Sequence, residues 1–386
     1  MVSPFLPYPG VSHAGGKLVF FLLRILSKKH SLVLLSRCFP GEERHVSYLK
    51  TMLAGVEIIP VHGPVDPDSI SSVCRTIWSY YRLSRKAREM VNEQRFEICH
   101  VEFTETGVFW RRKPGIPSVL SCHDIIAKPA FRRYLTSRGF SRISHWIFWK
   151  LKQRIEAHSV RKFQRVFTLS EEDLEWAKRL YSGVTFCTLR YPGGIDFAGL
   201  PRREVPGRIL FLGAMHRPQN VESVRYIWET VWPSVRKEIR EAEFWVTGGG
   251  IPKALERELS CDERVTMTGF VEQVEETYKS ASVFVAPILA GGGVIVKILD
   301  ALAAGVPVVT TTYGNEGIRA EPGREVFIAD NPDDFASAVV RLLRDEELRN
   351  SVGSAGKRYV EKNFSGDLLT TTVEEVYKNI SLIQPV

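Results

Sequence analysis

Short apolar and β-branched runs recur along the chain, separated by longer segments in which apolar positions fall three and four residues apart. The first half offers strand runs at 31–35, 56–61, 98–102, 118–122 and 165–169, with helix-length segments at 18–28, 69–93 and 144–162. The second half repeats the alternation, with runs at 208–212, 243–247, 265–267, 283–286, 306–310 and 325–328 and helical crossovers between them. Strands alternating with helices in this way predict parallel sheets of the α/β class. A chain of 386 residues exceeds what one apolar core usually supports, so two domains are expected. Both periodicities break between Tyr191-Pro192-Gly193-Gly194-Ile195-Asp196 and Pro206-Gly207, which puts the join there. The expected division is 1–190, 191–364 and a C-terminal helix at 365–386 that packs back toward the first domain. Ligands of open parallel sheets bind beyond the carboxyl ends of the strands, so those loops, lining a cleft between the domains, carry the chemistry.

The beginning of the chain departs from this regularity. Met1-Val2-Ser3 runs at once into the segment Pro4 to Pro9, leaving little room for a first strand of the usual ~5 residues. Either that strand is shortened or translation starts upstream.

Composition narrows the class without naming a reaction. The chain is 44% hydrophobic and 25% charged, and its longest early apolar run, 18–26, is interrupted by Arg24. It contains no uninterrupted stretch long enough to span a bilayer and no secretory signal, so a cytoplasmic protein is expected, peripheral on the inner face of the membrane if it meets one. The six cysteines are dispersed at no metal-ligand spacing and read mostly as buried thiols; no metal or other cofactor is expected. Charge is divided unevenly: residues 1–190 hold 30 Lys and Arg against 16 Asp and Glu, whereas 191–386 hold 22 against 28. The basic clusters Arg82 to Arg88, Arg111-Arg112-Lys113 and Arg132-Arg133, with Trp146 and Trp149 nearby, suit an anionic membrane surface or phosphorylated acceptor. A solvated basic face is the plain alternative. No recognisable nucleic-acid module accompanies them.

The most informative local feature is the segment Pro287 to Val309. A strand end leads into Gly291-Gly292-Gly293, a short helix bearing Lys297 and Asp300, the turn residue Gly305 and another strand. Glycines admit a close ligand, and the amides and dipole of the helix amino terminus favour phosphate oxygens. Lys297 suits the neutralisation of a departing diphosphate and Asp300 the hydroxyls of a ribose, although three residues apart they equally form an intrahelical ion pair. Glu102 and Glu105 follow a strand and are placed either to orient an acceptor or in a solvated loop. Glu316 follows another strand, as a donor contact or as a turn-stabilising residue.

The Gly291 to Val309 segment resembles the retaining glycosyltransferases of group 1, the family-4-like superfamily with the GT-B fold. Other stretches agree in order: Pro4 to Pro9 followed by Gly15-Gly16, His123-Asp124 after an early strand, Pro192-Gly193-Gly194-Ile195-Asp196 at the join, and Phe211-Leu212-Gly213 opening the second domain. Arg217-Pro218-Gln219-Asn220 and Val231-Trp232-Pro233 resemble a branch associated with cell-surface polysaccharide synthesis. The resemblance implies two Rossmann-like domains facing each other across a cleft, the first for acceptor and the second for donor. It further implies transfer of a sugar from a nucleotide-diphosphate sugar to a hydroxyl of a glycan or lipid-linked acceptor, by front-face attack without a side-chain nucleophile and without a metal. Lys297 and His123 take the catalytic places. Gly15, Gly16, Gly213, His216, Arg217, Gly291, Gly292, Gly293, Asp300 and Glu316 fall to the donor, and Glu102, Glu105 and Asp124 to the acceptor.

Four positions depart from the family pattern. Gly292 stands where a first glutamate is common, Asp300 replaces the second glutamate, Ile295 replaces an arginine, and Gly193 replaces the asparagine of the join. Gly292 and Ile295 leave a catalytically silent nucleotide-sugar-binding protein as one alternative, and a nucleotide-sugar epimerase of related two-domain fold is another.

Overall fold

The computed structural model describes residues 1–11, 13–63, 69–93, 96–110, 116–193, 201–290 and 293–381. It contains two compact units, Met1–Arg190 with Asp367–Val386, and Tyr191–Gly366.

The first unit is built on seven parallel strands: β1 (Val2–Ser3), β2 (Val33–Cys38), β3 (Gly55–Pro60), β4 (Cys99–Glu102), β5 (Ser118–Cys122), β6 (Arg165–Thr168) and β7 (Phe186–Thr188). Their order is β3-β2-β1-β4-β5-β6-β7, so the direction of winding reverses between β1 and β4. The second unit has six parallel strands: β8 (Arg208–Leu212), β9 (Glu243–Thr247), β10 (Val265–Gly269), β11 (Val283–Ala286), β12 (Val308–Thr310) and β13 (Phe327–Ile328). Their order is β10-β9-β8-β11-β12-β13, and winding reverses between β8 and β11. Each unit is thus a doubly wound, Rossmann-like α/β layer structure whose ligand crevice opens at the reversal.

The inner strands are buried at nearly every position because helices cover both sheet faces. One face of the first sheet packs Leu6, Val19, Leu23 and Leu34, while the other buries Val101, Leu120 and Val166. Phe211, Phe244, Val285 and Phe335 anchor a core in the second unit. The C-terminal helix, Gly366–Ser381, is held on the first unit by a Glu374 to Lys29 ion pair at 2.9 Å and by Tyr377.

Several expectations shift. Strand β2 extends to Cys38, past the 31–35 window, because the polar pair Ser36 and Arg37 is buried; Arg37 donates to Pro4 O and Ser79 Oγ, each at 2.9 Å. Strand β1 lies in mid-sheet with only two residues, and β7 is an addition to the expected strands, too short for a period-two signal. Among the cysteines, Cys38, Cys99 and Cys122 are buried, whereas Cys74 and Cys261 are exposed. The helix Val296–Ala303 ends as its glycine suggests: Gly305 has φ 73°, its amide donates to Leu302 O, and that of Val306 donates to Ala301 O, a Schellman closure. At Gly193 a Cβ would come within 3.0 Å of Leu299 and Val360 side chains, which accounts for the missing asparagine at the join.

Two buried acids organise the connection from β5 to β6. Glu156 accepts the amides of Ile126 and Ala127 and the Tyr181 hydroxyl, tying the start of helix Ala127–Thr136 to helix Phe140–Val160. Lys128 pairs with Asp173 at 2.9 Å, both 2% exposed. Removing one partner of such a pair strands the other charge, so Lys128→Met is expected to cost about 3–5 kcal/mol. Lys128→Met/Asp173→Leu should recover most of that loss. Urea denaturation followed by far-UV circular dichroism checks the order; equal stability of the single variant and the wild type would show that the pair carries no such weight.

Candidate functional site

In the first unit the polar groups gather at the carboxyl ends of β4 and β5, next to the winding reversal. Glu102, the last residue of β4, is fully buried. Its Oε2 lies 2.9 Å from His123 Nε2 and its Oε1 lies 3.1 Å from His100 Nε2. His100 continues the chain through Ser121 Oγ at 2.7 Å and, from Nδ1, through the Tyr377 hydroxyl at 2.6 Å. Burial, opposed only in part by Glu102, lowers the His100 pKa to about 4 and keeps that ring neutral at pH 7. Burial also pushes Glu102 upward, but His100 and the hydrogen bonds from His123 and Ser121 outweigh it and hold the carboxyl below its ordinary range.

His123 is clamped from the side as well. Its ring stacks on Phe103 with centroids 3.7 Å apart and planes 6° from parallel. Phe103 adopts φ 68° and ψ 138°, a conformation that costs a side-chain-bearing residue about 1 kcal/mol or more. A Cβ on Gly15 would strike the Phe103 ring and come within 3.2 Å of His123 Nδ1, so the glycine makes room for this stack. Gly16 plays another part, since its amide donates to His13 Nδ1 at 3.0 Å and so caps the helix Ala14–Leu26. That amide is therefore engaged locally instead of facing a phosphate.

The expected acceptor residues divide. Glu105, in the first turn of helix Thr104–Phe109, and Asp124 are exposed, whereas Glu102 lies beneath them and touches His123 in place of solvent. Asp124 keeps a solvent-facing edge, yet its carboxyl is packed closely enough that burial, then the nearby charge of Asp173, push its pKa up to about 6.

In the second unit, Gly213 follows β8 and donates to Thr247 O at 2.9 Å. A Cβ there would meet the Asn220 side chain at 2.7 Å. Asn220 in turn accepts from Lys297 Nζ at 3.0 Å, and that ammonium lies 4.2 Å from the Phe211 ring centroid. Lys297 thus turns across to the segment after β8 rather than along its own helix to Asp300. Burial, then the charge of Arg217, lower its pKa to about 7. His216 and Arg217 are exposed at the start of helix Pro218–Tyr226, whose first turn has no side-chain cap; the same holds for helix Val296–Ala303. Two open amino termini and two cations at one winding reversal make an anion-binding arrangement.

Gly293 has φ 81° and packs against Gly317, next to the half-buried Glu316. Asp300 is half-buried, and burial, then the charge of Asp300, pushes the Tyr278 phenol upward. Gly291 and Gly292 lie outside the described residues, as do Arg111, Arg112 and Lys113 of the basic first half. Among those described, no group of three or more His, Cys, Asp or Glu is arranged to hold a metal ion.

Residues that sequence reading passed over complete both clusters. Gly248-Gly249-Gly250 follows β9; a Cβ at Gly248 would strike the Gly213 carbonyl, and one at Gly250 would come within 3.2 Å of His216 N. The glycine run after a strand was a usable signal. Asn220 gave none, and neither did Tyr377, which reaches His100 from 277 residues away.

Comparison with known proteins gives the family and the fold. A model described as glycosyltransferase family 4 matches residues 16–228, and one described as glycosyl transferases group 1 matches 206–345. An uncharacterized 44.6 kDa protein in the cps region of Klebsiella pneumoniae is 23% identical over 43% of this chain and 44% of its own length. A GDP-mannose-dependent α-(1-6)-phosphatidylinositol monomannoside mannosyltransferase of Mycobacterium tuberculosis is 28% identical over 38% and 42%. The chain therefore spans less than half the length of these curated relatives. Among solved structures, sucrose-phosphate synthase of Thermosynechococcus elongatus superposes with a TM-score of 0.72 at 14% identity, covering 98% of each chain. HepE of Anabaena, in complex with UDP and glucose, gives 0.69 at 13% identity, covering 98% of this chain and 99% of its own. Those identities establish the shared GT-B fold alone. With a family model matched over more than half of its residues, the chain belongs to glycosyltransferase family 4.

Proposed function

We propose that the chain transfers a sugar from a nucleotide-diphosphate sugar to a hydroxyl of a cell-surface glycan or lipid-linked acceptor, with retention at the anomeric carbon. The carrying observation is the Lys297 site: an amine held by Asn220 and Phe211 in the first turn of a helix without a side-chain cap, within reach of the Arg217 charge. That set of donors suits a diphosphate leaving group; Asp300 and Glu316 would take the ribose and sugar hydroxyls. The first unit would hold the acceptor, with Glu105 and Asp124 at its surface and His123 toward the reacting centre. The acceptor oxygen attacks C1 on the face from which the diphosphate departs; the C1–O bond to phosphate breaks, the electron pair leaves with the diphosphate, and a diphosphate oxygen takes the acceptor proton. Protein groups then act by alignment and by charge stabilisation. The mannosyltransferase relative, whose name specifies a phosphatidylinositol monomannoside, supports a lipid-linked substrate, and the basic first unit supports work at the cytoplasmic face of an anionic membrane.

A panel of nucleotide sugars analysed by mass spectrometry, with cell-envelope lipid extract as acceptor source, tests the assignment. The expected product gains one glycosyl unit as nucleoside diphosphate is released, and NMR finds the donor's anomeric configuration. An isomerised donor formed without acceptor would assign an epimerase, and donor binding without turnover a silent binding protein.

Lys297→Ala is expected to lower kcat/KM for the donor by roughly a hundredfold, the usual scale for losing one preorganised charge donor. Its stability cost should be only about 1 kcal/mol, the worth of the lost bond to Asn220. Because the wild-type amine loses its proton as pH rises through about 7, donor kcat/KM should fall above that pH, and the variant should lack this fall. Steady-state kinetics beside thermal melting read both; wild-type kcat/KM in the variant would remove Lys297 from the leaving-group role.

Glu102 acts as a positioning residue for His123. Glu102→Gln should depress kcat by about a hundredfold, as a shift of ~1 Å in a reacting group does, while leaving donor KM unchanged. Tyr377→Phe, at the far end of the chain of hydrogen bonds, should change kcat less. A Glu102→Gln enzyme that keeps its kcat, or loses affinity for the donor instead, contradicts the positioning role.

A further inference from the structure

Two long helices of the first unit carry apolar side chains where water meets them. In helix Ile70–Glu93, Ile70 is 83% exposed and Ile77 and Trp78 are half exposed or more. In helix Phe140–Val160, Phe140 is 93% exposed, and Ile143, Ile147 and Leu151 are each more than half exposed. The last four positions follow the three-and-four spacing of a single helical stripe. Monomeric proteins rarely leave such a contiguous surface uncovered.

The two surfaces belong together. Both helices are crossovers between parallel strands of one sheet, from β3 to β4 and from β5 to β6, and both pack against the short helix Thr104–Phe109. Ser84 donates to Phe109 O and Tyr80 stacks on the Phe109 ring; Ser159 donates to Thr104 O. They therefore lie on the same sheet face and run the same way, against the strands. Their carboxyl-terminal halves are the packed ones. At ~1.5 Å per residue the helices span about 36 and 32 Å, roughly twice the length of a four- to six-residue strand, so their amino-terminal halves extend past the carboxyl ends of the sheet. That is the end where Glu105, His123 and Asp124 sit.

Charge selects what covers this surface. Neither 70–82 nor 131–155 contains a single Asp or Glu, while Arg75, Arg133, Arg138, Arg142 and Arg154 are exposed there. Trp149, by contrast, is taken into the fold, stacked on Tyr134 with Lys150 over its ring, so it is Trp146 that faces outward. A second copy of the chain would set these cations against one another with no acidic residue of 70–82 or 131–155 to receive them. No helix among the described residues is long and apolar enough to cross a membrane, but an apolar stripe bordered by arginines suits a helix lying in the headgroup layer.

We propose that the amino-terminal halves of helices Ile70–Glu93 and Phe140–Val160 form a common seat on an anionic phospholipid surface, which presents a lipid-linked acceptor to the carboxyl ends of β4 and β5. The presentation of acceptor rests on the transferase reading; the seat itself does not. The test is flotation of the full chain with vesicles of phosphatidylcholine alone and with about 30% phosphatidylglycerol, at low and physiological salt. Wild type should float with the anionic vesicles, less at higher salt, and hydrogen exchange should slow in 70–82 and 131–155 together. Ile143→Ser/Ile147→Ser, at exposed positions that leave the core intact, should lower partitioning by more than about tenfold. Arg138→Gln/Arg142→Gln should abolish the preference for anionic lipid.

Equal flotation of the apolar variant, equal flotation on neutral vesicles, or protection confined to one helix overturns the proposal. So does sedimentation showing a dimer that the serine variant disperses, which would assign the face to a second copy. Calorimetry with UDP and GDP on the same proteins keeps the two readings apart. Nucleotide binding without flotation removes the seat alone, and flotation without nucleotide binding removes the transferase reading alone.

Discussion

Parallel pairing is the constraint on which the rest of this protein depends. A strand that must run beside its neighbour in the same direction cannot return through a tight turn, so each pair requires a crossover, and the crossover helices cover the sheet on both faces. With both faces dry, strands such as β5 and β11 have no place for polar side chains except at their ends. The winding reversals, between β1 and β4 in one unit and between β8 and β11 in the other, then open a crevice that no crossover covers. Glu102 ends β4, Gly213 follows β8, and the glycine run at 291–293 follows β11. Most of the expected site residues therefore follow strand ends beside a reversal.

The same exclusion explains why buried polar groups come in connected sets. Glu102 inside an apolar layer is tolerable because His123, His100 and Ser121 surround it, and His100 is completed by Tyr377 from the last helix. Arg37, Glu156 and the Lys128 to Asp173 pair follow the same rule. A chain of this kind fixes ring orientation more tightly than a solvated side chain does. The strained backbone of Phe103 and the bare Cα of Gly15 belong to the same arrangement, since each exists to let one ring stand against another.

Lys297 shows the opposite use of burial. Its amine is taken far enough from water to loosen its proton, yet its neighbours are one amide oxygen and one aromatic face, not a carboxylate. An anion arriving from solvent would supply the missing counter-charge. Under the proposed transferase reading that anion is the donor's diphosphate, and the arginine-bordered apolar helices are the seat proposed for a lipid-linked acceptor.

The amino-acid order alone determined what depends on local periodicity: alternating strands and helices, the break near Pro192, the glycine run before Lys297, and the uneven charge. These are legible because a buried strand and an amphipathic helix each leave a repeat of fixed length, and a glycine turn leaves a residue that no other replaces. Strands of two or three residues leave no repeat, so β1 and β7 emerge only from pairing with neighbours, and β2 outruns its apolar window because Arg37 finds partners in Pro4 and Ser79. Tertiary structure alone decided that Glu102 supports His123 from beneath, that Lys297 turns to Asn220, and that Trp146 faces outward while Trp149 packs. In each case the deciding partner lies many residues away or on another element, and a side chain's role follows from what surrounds it, which no local window contains.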